Sequence, residues 1–389
     1  MAAPKLRFKE FDGDWVKTNF GKVASHISYG LTVRPEYIEN GIKLISAREI
    51  STGNIDFDNA PKISISDFML LSDKAKPQKY DLFLSKTGSI GFTSIVETDE
   101  KFAITQNIAN IRLNNLSEQD PYFFLQQMRT TSFQLKAISV VNQSTIMDLQ
   151  LGDIKKLEIG YPSKEEQTKI ASFLSNVDEK ISQLTQKHAL LSQYKQGMMQ
   201  KLFSQQIRFK ADDGSEFGEW EEKELHQIFQ IKAGGDIEKS SVSEVRTSEF
   251  SYPIFANSDK NKGFYGWANK FKYKEAVTVT GRGNLGIAVA RNEPFYPIVR
   301  LLVLLPLVKQ NLKFFEEQIN LLDIVSESTG VPQLTAPQLS KYKVNVPSLE
   351  EQTKIANFIS AIDQKIEVVA QQIEQAKTWK KGLLQQMFM

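Results

Sequence analysis

Residues 162–181 read PSKEEQTKIASFLSNVDEKI, and residues 347–366 read PSLEEQTKIANFISAIDQKI. Fourteen of these 20 positions are identical at a constant offset of 185. The register runs on without a gap: Gln186 matches Gln371, Lys195 matches Lys380, Gly197 matches Gly382 and Phe203 matches Phe388. Unrelated helices of similar composition would not keep such a register, so the chain carries an internal repeat. Each copy opens like a helix. Ser163 and Ser348 follow a helix-excluding proline and suit the N-cap, and Glu166 and Glu351 stand three positions on, at capping-box spacing. The next apolar positions advance in steps of four and three. In the first copy they are Ile170, Leu174, Val177, Ile181, Leu184, His188, Leu191, Lys195, Met198 and Leu202. In the second they are Ile355, Ile359, Ile362, Ile366, Val369, Ile373, Ala376, Lys380, Leu383 and Met387. A seam of that length predicts a coiled coil. Lys195 and Lys380 interrupt it at the same place and read either as lysines snorkelling near a frayed end or as a specificity device or partner contact. His188 reads as a solvated seam residue rather than a ligand.

Outward from the helices, a fainter repeat marks the entry to each copy. Residues 6–15 read LRFKEFDGDW and residues 207–220 read IRFKADDGSEFGEW. The second entry follows the first helix directly, so the repeat is circularly permuted, and the first entry should complete the end of the second helix. The approaches to the two PS motifs also match, STIMDLQLGDIKKLEIGYPS and STGVPQLTAPQLSKYKVNVPS. KTGSIG at 86–91 resembles RGNLG at 282–286. The domain plan is therefore 1–162, a variable domain; 163–206, a helix; 207–347, a second variable domain; and 348–389, a second helix. Within the variable regions 20–160 and 225–345, short β-like runs fall at 81–85, 92–96, 109–113, 276–280, 287–290 and 300–305, with helical pieces near 119–137 and 309–322. Each region reads as a small mixed α/β domain, the second shorter by about twenty residues.

Composition narrows the chemistry. The 389 residues contain no cysteine and three histidines, His26, His188 and His226, far apart in sequence. That excludes thiolate metal sites and a cysteine nucleophile, disfavours a histidine metal site, and fits a reducing cytoplasm. The longest apolar stretch, near 298–308, is broken by Arg300 and Pro306, so no membrane span is expected, and residues 1–15 lack the apolar core of a signal peptide. With 48 basic and 46 acidic residues, a chain-wide phosphate-coating charge is excluded, although a local basic surface is not. The segment GRGNLG at 281–286 formally fits the dinucleotide fingerprint, but the sequence after it is not helical, and a tight turn bearing an exposed Arg282 is the better reading. No ATP-binding loop, adenine-methyltransferase signature or hydrolase triad can be assembled. The chain reads as a binder.

Residues 252–274 interleave aromatic and basic side chains, a pattern suited to nucleic acid. Strict alternation at 270–274 equally suits a strand with lysines outward and aromatics inward. The candidate DNA-binding residues are Tyr29, Arg34, Arg48, Lys86, Thr87, Ser89, Gln106 and Asn107 in the first region. In the second they are Asn257, Lys260, Lys262, Tyr265, Trp267, Arg282 and Asn284. Arginine pairs bidentately with guanine and side-chain amides with adenine.

The doubled PSxEEQTKIAxF opening, the LRFK…W entries and the variable–constant–variable–constant plan together resemble the DNA-specificity (S) subunit of type I restriction–modification systems, across the whole chain. The resemblance implies an α+β fold: two mixed target-recognition domains, each followed by a long helix, the two helices forming an antiparallel coiled coil. It implies a non-catalytic, cytoplasmic host-defence subunit that reads a bipartite, asymmetric double-stranded DNA target. Two methyltransferase subunits would dock on the constant regions, with Glu165, Glu166, Gln167, Lys169, Glu350, Glu351, Gln352 and Lys354 as candidate contacts, and restriction/translocase subunits would join them. S-adenosylmethionine, ATP and magnesium would belong to those partners, and no cofactor to this chain. The rival reading is a coiled-coil scaffold whose variable domains bind proteins.

Overall fold

Apolar residues at steps of four and three give a helix one continuous stripe to bury, and both long helices bury it. The computed structural model describes residues 4–141, 147–324 and 333–388. In it the helices are Lys164–Phe203, 40 residues, and Leu349–Met387, 39 residues. At ~1.5 Å per residue each is about 60 Å long. None of the twenty seam positions is exposed. The serine caps form: the Glu166 amide donates to Ser163 Oγ at 3.4 Å, and the Glu351 amide to Ser348 Oγ at 3.2 Å. The other half of the expected capping box is diverted. Arg7 grips the Glu166 carboxylate at 2.7 and 2.8 Å, and Arg208 grips that of Glu351 at 2.8 and 3.0 Å.

The chain divides into two units, residues 1–186 with 370–389, and residues 187–369. Each contains a segment of both long helices. In the first unit Asp178 meets Lys380 at 2.5 Å; in the second Asp363 meets Lys195 at 2.7 Å. The early part of one helix thus always pairs with the late part of the other, which is an antiparallel coiled coil. These contacts also correct the reading of the seam lysines. They do not snorkel into solvent: their side chains are only 21% and 14% exposed, and each is held by an aspartate from the facing helix.

The variable regions fold alike. In the first unit a four-stranded antiparallel sheet runs Ala24–Tyr29, Ile108–Leu113, Leu82–Ser85, Thr93–Ile95. A second sheet runs Tyr37–Ile38, Lys62–Ile63, Ile42–Ile45, Ala103–Ile104, its last pair parallel. Val16–Asn19 pairs with Glu158–Tyr161 and places the entry of the region beside its exit. The second unit repeats all three sheets with the same order and sense. Its first sheet is Phe229–Ala233, Leu302–Pro306, Ala276–Val279, Ala288–Arg291. Its second is Val242–Ser243, Phe264–Ala268, Tyr252–Phe255, Tyr296–Pro297, and its closing pair is Glu221–Glu224 with Lys343–Val346. Each of the six β-like runs overlaps a strand. The helical piece near 119–137 is two helices, Pro121–Met128 and Thr131–Ser139, and that near 309–322 is Leu312–Asn320. The extra length of the first region includes the short helix Ile65–Met69 ahead of Leu82–Ser85.

The circular permutation is visible in the hydrogen bonds. The Leu6 amide donates to the Gln386 carbonyl at 3.0 Å, and at the equivalent positions Ile207 donates to Lys201 at 3.3 Å. Phe388 lies 5.1 Å from Phe123, and Phe203 lies 5.2 Å from Phe314. Residues 1–3 and 389, like 144–146 and 328–332 of the matched approaches, lie outside the described residues. Among the described residues no helix is long and apolar enough to cross a membrane, and no group of three acidic or histidine side chains is placed to hold a metal ion.

Candidate nucleic-acid interface

In the first unit backbone hydrogen bonds gather loops at one end of the strands. The Lys86 amide donates to the Asn107 carbonyl at 2.8 Å, Thr105 to Ile45 at 3.0 Å, and Gln106 to Leu31 at 2.9 Å. These bonds draw the segments that carry Tyr29, Arg34, Arg48, Ser89, Gln106 and Asn107 toward the same end of the sheets. Asn107 is half-buried and the other five are exposed. Gly30 permits the close approach, because a Cβ there would lie 1.7 Å from the Ile104 carbonyl oxygen. Arg48 is tethered to its neighbour Glu49 at 2.8 Å but remains largely exposed.

The turns at 86–91 and 281–286 are the same structure. Gly88 and Gly91 have φ of 76° and 103°, and Gly283 and Gly286 have 69° and 81°, in the left-handed region that glycine tolerates. Ser85 Oγ donates to the Ser89 carbonyl and accepts from the Phe92 amide; Thr280 Oγ1 does the same with Asn284 and Ile287. The turns present different residues: Thr87 where the second unit has Arg282, and Ser89 where it has Asn284. Arg282 is exposed, as expected, on a turn that leads into a strand and not a helix.

Several candidates are occupied within their own unit. Lys86 is buried, and its ammonium bonds the Asp148 carboxylate at 2.5 Å, so it is withdrawn as a free contact; Thr87 bonds the same oxygen at 2.5 Å. Burial pushes the Asp148 carboxyl up, but the bonds from Lys86, Thr87 and Gln150 outweigh it, and the group titrates below the ordinary aspartate value. Asn257 staples loops together: its amide donates to the Val299 carbonyl and its oxygen accepts from the Gly281 amide at 2.7 Å. Asn284 is held by Asp259 at 2.5 Å.

Lys260, Lys262 and Tyr265 are exposed on the second sheet and its turn, while Trp267 is half-buried with Arg246 over its ring at 4.9 Å. The alternating stretch 270–274 is not a strand. It is a loop with one isolated bridge, Tyr273 to Phe295, and both Phe271 and the three lysines face solvent. Two features were invisible in the sequence. Val299 and Arg300 adopt left-handed φ of 52° and 58° without a glycine to signal it, and Arg300 is exposed there. Arg291 stacks on Phe255 with its guanidinium 3.5 Å from the ring centroid, and burial pulls its pKa down to about 10.

Of the candidate docking residues, Glu166, Gln167, Glu351 and Gln352 are buried and engaged internally. Gln167 accepts from the Asp120 amide at 2.9 Å and Gln352 from Asn311 at 3.0 Å, while both donate to the preceding proline carbonyl. They lock the helix start to its domain, which corrects their reading as partner contacts. Glu165 and Glu350 remain exposed; Lys169 and Lys354 reach Glu10 and Asp212 at 2.8 and 2.6 Å.

A family model described as the type I restriction modification DNA specificity domain matches residues 32–193 and 218–378. A Methanocaldococcus jannaschii protein named as the specificity subunit of type I restriction enzyme MjaX is 26% identical, over 98% of this chain and 94% of its own. The crystal structure of a type I restriction–modification S subunit from M. genitalium aligns with a TM-score of 0.67 at 20% identity, covering 100% of this chain and 99% of that one. A structure described under complex assembly and conformational transition of the type I system aligns at 0.58 and 15%, covering 98% and 99%.

Proposed function

The chain belongs to the type I restriction modification DNA specificity family, and on that premise we propose that it reads a bipartite, asymmetric double-stranded DNA target, one half with each unit. The observation that carries this reading is the pair of matching turns. One backbone device occurs once per unit with the same glycine conformations, yet presents Thr87 and Ser89 in one and Arg282 and Asn284 in the other. Identical scaffolds with unlike tips suit two half-sites of unlike sequence, because bases are read by side-chain edges while the scaffold sets approach. Each reader alone binds weakly; joining two raises the effective concentration of the second contact. The helices set the distance between the half-sites.

Two methyltransferase subunits dock on the exposed constant surface, which retains Glu165, Lys169 and Glu350 with the half-buried Lys354 beside it, and restriction/translocase subunits join the assembly. The chain itself does no chemistry, and S-adenosylmethionine, ATP and magnesium are used by those partners. Methylome sequencing of a host with and without this chain tests the proposal. One two-part adenine-methylated motif should vanish when the chain is removed. An unchanged set of methylated motifs, with the chain verified absent, contradicts it. A protein-binding scaffold would in addition lack the steep salt dependence that phosphate contacts give to DNA binding.

A further inference from the structure

In the first unit the coiled coil and the helix Thr131–Ser139 enclose a groove of about 430 Å³ lined by Arg129, Thr131, Asp178, Lys377, Lys380 and Lys381, among others. Four cations face one carboxylate there. A second carboxylate, Glu374, takes Lys377 at 2.9 Å on the rim. Arg129 is fixed from behind: its guanidinium donates to the Gly53 carbonyl at 2.7 Å and to Thr93 at 3.3 Å, and approaches Asp178 at 3.5 Å. Lys380 is held by Asp178 at 2.5 Å.

The repeat supplies an internal control. The Asp–Lys pair recurs in the second unit as Asp363–Lys195, so the pair itself is structural. The surrounding charges do not recur. Positions equivalent to Arg129, Lys377 and Lys381 hold Asn320, Ser192 and Gln196, and that equivalent to Gln126 holds Glu317. There Lys195 and Lys313 are met by Glu316, Glu317 and Asp363 at 2.5 to 3.2 Å, an excess of acid. Packing of the coiled coil therefore does not require the basic excess of the first unit. Its cations are also short of compensation: burial holds both Arg129 and Lys380 below their ordinary pKa values, and Asp178 only partly offsets this.

We propose that this groove binds a phosphate group, giving the first unit a sequence-independent anion contact that the second lacks. A planar guanidinium fixed beside three ammonium groups is the chemistry that grips phosphate oxygens. The phosphate is either that of a DNA backbone, which rests on the DNA-reading function above, or a free one. Lys377 and Lys381 are exposed and lie outside the buried pair, so K377Q/K381Q should leave the fold intact.

With the full chain, DNA affinity should fall by the same factor on target and scrambled duplexes, roughly eightfold at 0.1 M salt. The slope of log affinity against log salt should shrink by about 0.9, the value for one lost phosphate contact. If the source is free phosphate, DNA binding is unchanged, and inorganic phosphate at matched ionic strength raises the Tm of the parent chain but not that of the variant. A variant that keeps both the parent's salt slope and its phosphate response overturns the proposal. A parent chain with no DNA affinity, alone or with its methyltransferase partner, would instead sink the DNA reading, while the phosphate response still decides the groove.

Discussion

Lys86 shows how a residue's type can be legible and its use not. A lysine beside a glycine turn in a DNA-reading domain invites a phosphate contact, and the sequence offers no sign that Asp148, 62 positions away, captures it. The same holds for Glu166 and Glu351, whose capping-box spacing is real but whose carboxylates go to arginines 159 and 143 positions distant. Short-range geometry is readable because helix periodicity imposes it; long-range polar pairing depends on tertiary placement. The Lys86–Asp148 bond carries a pH signature. The Asp148 carboxyl titrates below its ordinary value in the folded state. Its contribution is therefore complete above the unfolded aspartate value and is lost as pH falls through the folded value. Asp148→Asn should cost about 1–2 kcal/mol at pH 7, and the gap to the parent should close as pH drops below the ordinary aspartate range, read by urea unfolding. A gap that is constant across that range would remove the ion pair from the account.

At the scale of the element, the long helices were the most legible part, because twenty seam positions enforce one period. The strands were nearly as clear wherever both faces are buried, as in Leu82–Ser85 and Ala276–Val279, where every residue is buried. Alternation at 270–274 left a strand open that does not form, because five residues of a lysine-rich loop are too few for the pattern to outweigh tertiary context. Helix length becomes functional if the helices space the half-sites. An insertion just after Phe203 would test this poorly, since Arg208 clamps the following segment to Glu351 and the loop would absorb the change. One heptad added to both helices, between 186 and 187 and between 369 and 370, preserves the seam and lengthens the coiled coil by about 10 Å, or about three base pairs. The same two half-sites should then be methylated with a gap about three base pairs longer. Methylation at the original gap alone would mean that the helices do not set the spacing.

For the molecule as a whole, the decisive information was the repeat and its permuted register. The Leu6–Gln386 and Ile207–Lys201 hydrogen bonds make the joint at the chain ends equivalent to the one in mid-chain. A chain opened between Gln205 and Gln206 and joined from Phe388 to Pro4 by a short flexible linker should therefore fold, with a Tm within a few degrees of the parent, and direct methylation to the same motif. A permutant that folds but loses the motif would mean that the joint at the ends does more than close the first unit. What the repeat did not disclose is which tips differ in use. The turns share a backbone, and only placement showed that Arg282 is exposed while Lys86 is buried and tied.

On this reading the chain is one reader built twice, each copy addressing its own half-site. Replacing residues 207–347 by residues 6–162 makes both units carry the first recognition domain, and sequencing the adenine methylation that this hybrid directs with its methyltransferase partner puts that directly to the test. The hybrid should direct methylation to a symmetric motif in which the half-site of the first unit appears twice in inverted orientation. Methylation of the original asymmetric motif by a folded hybrid would contradict it.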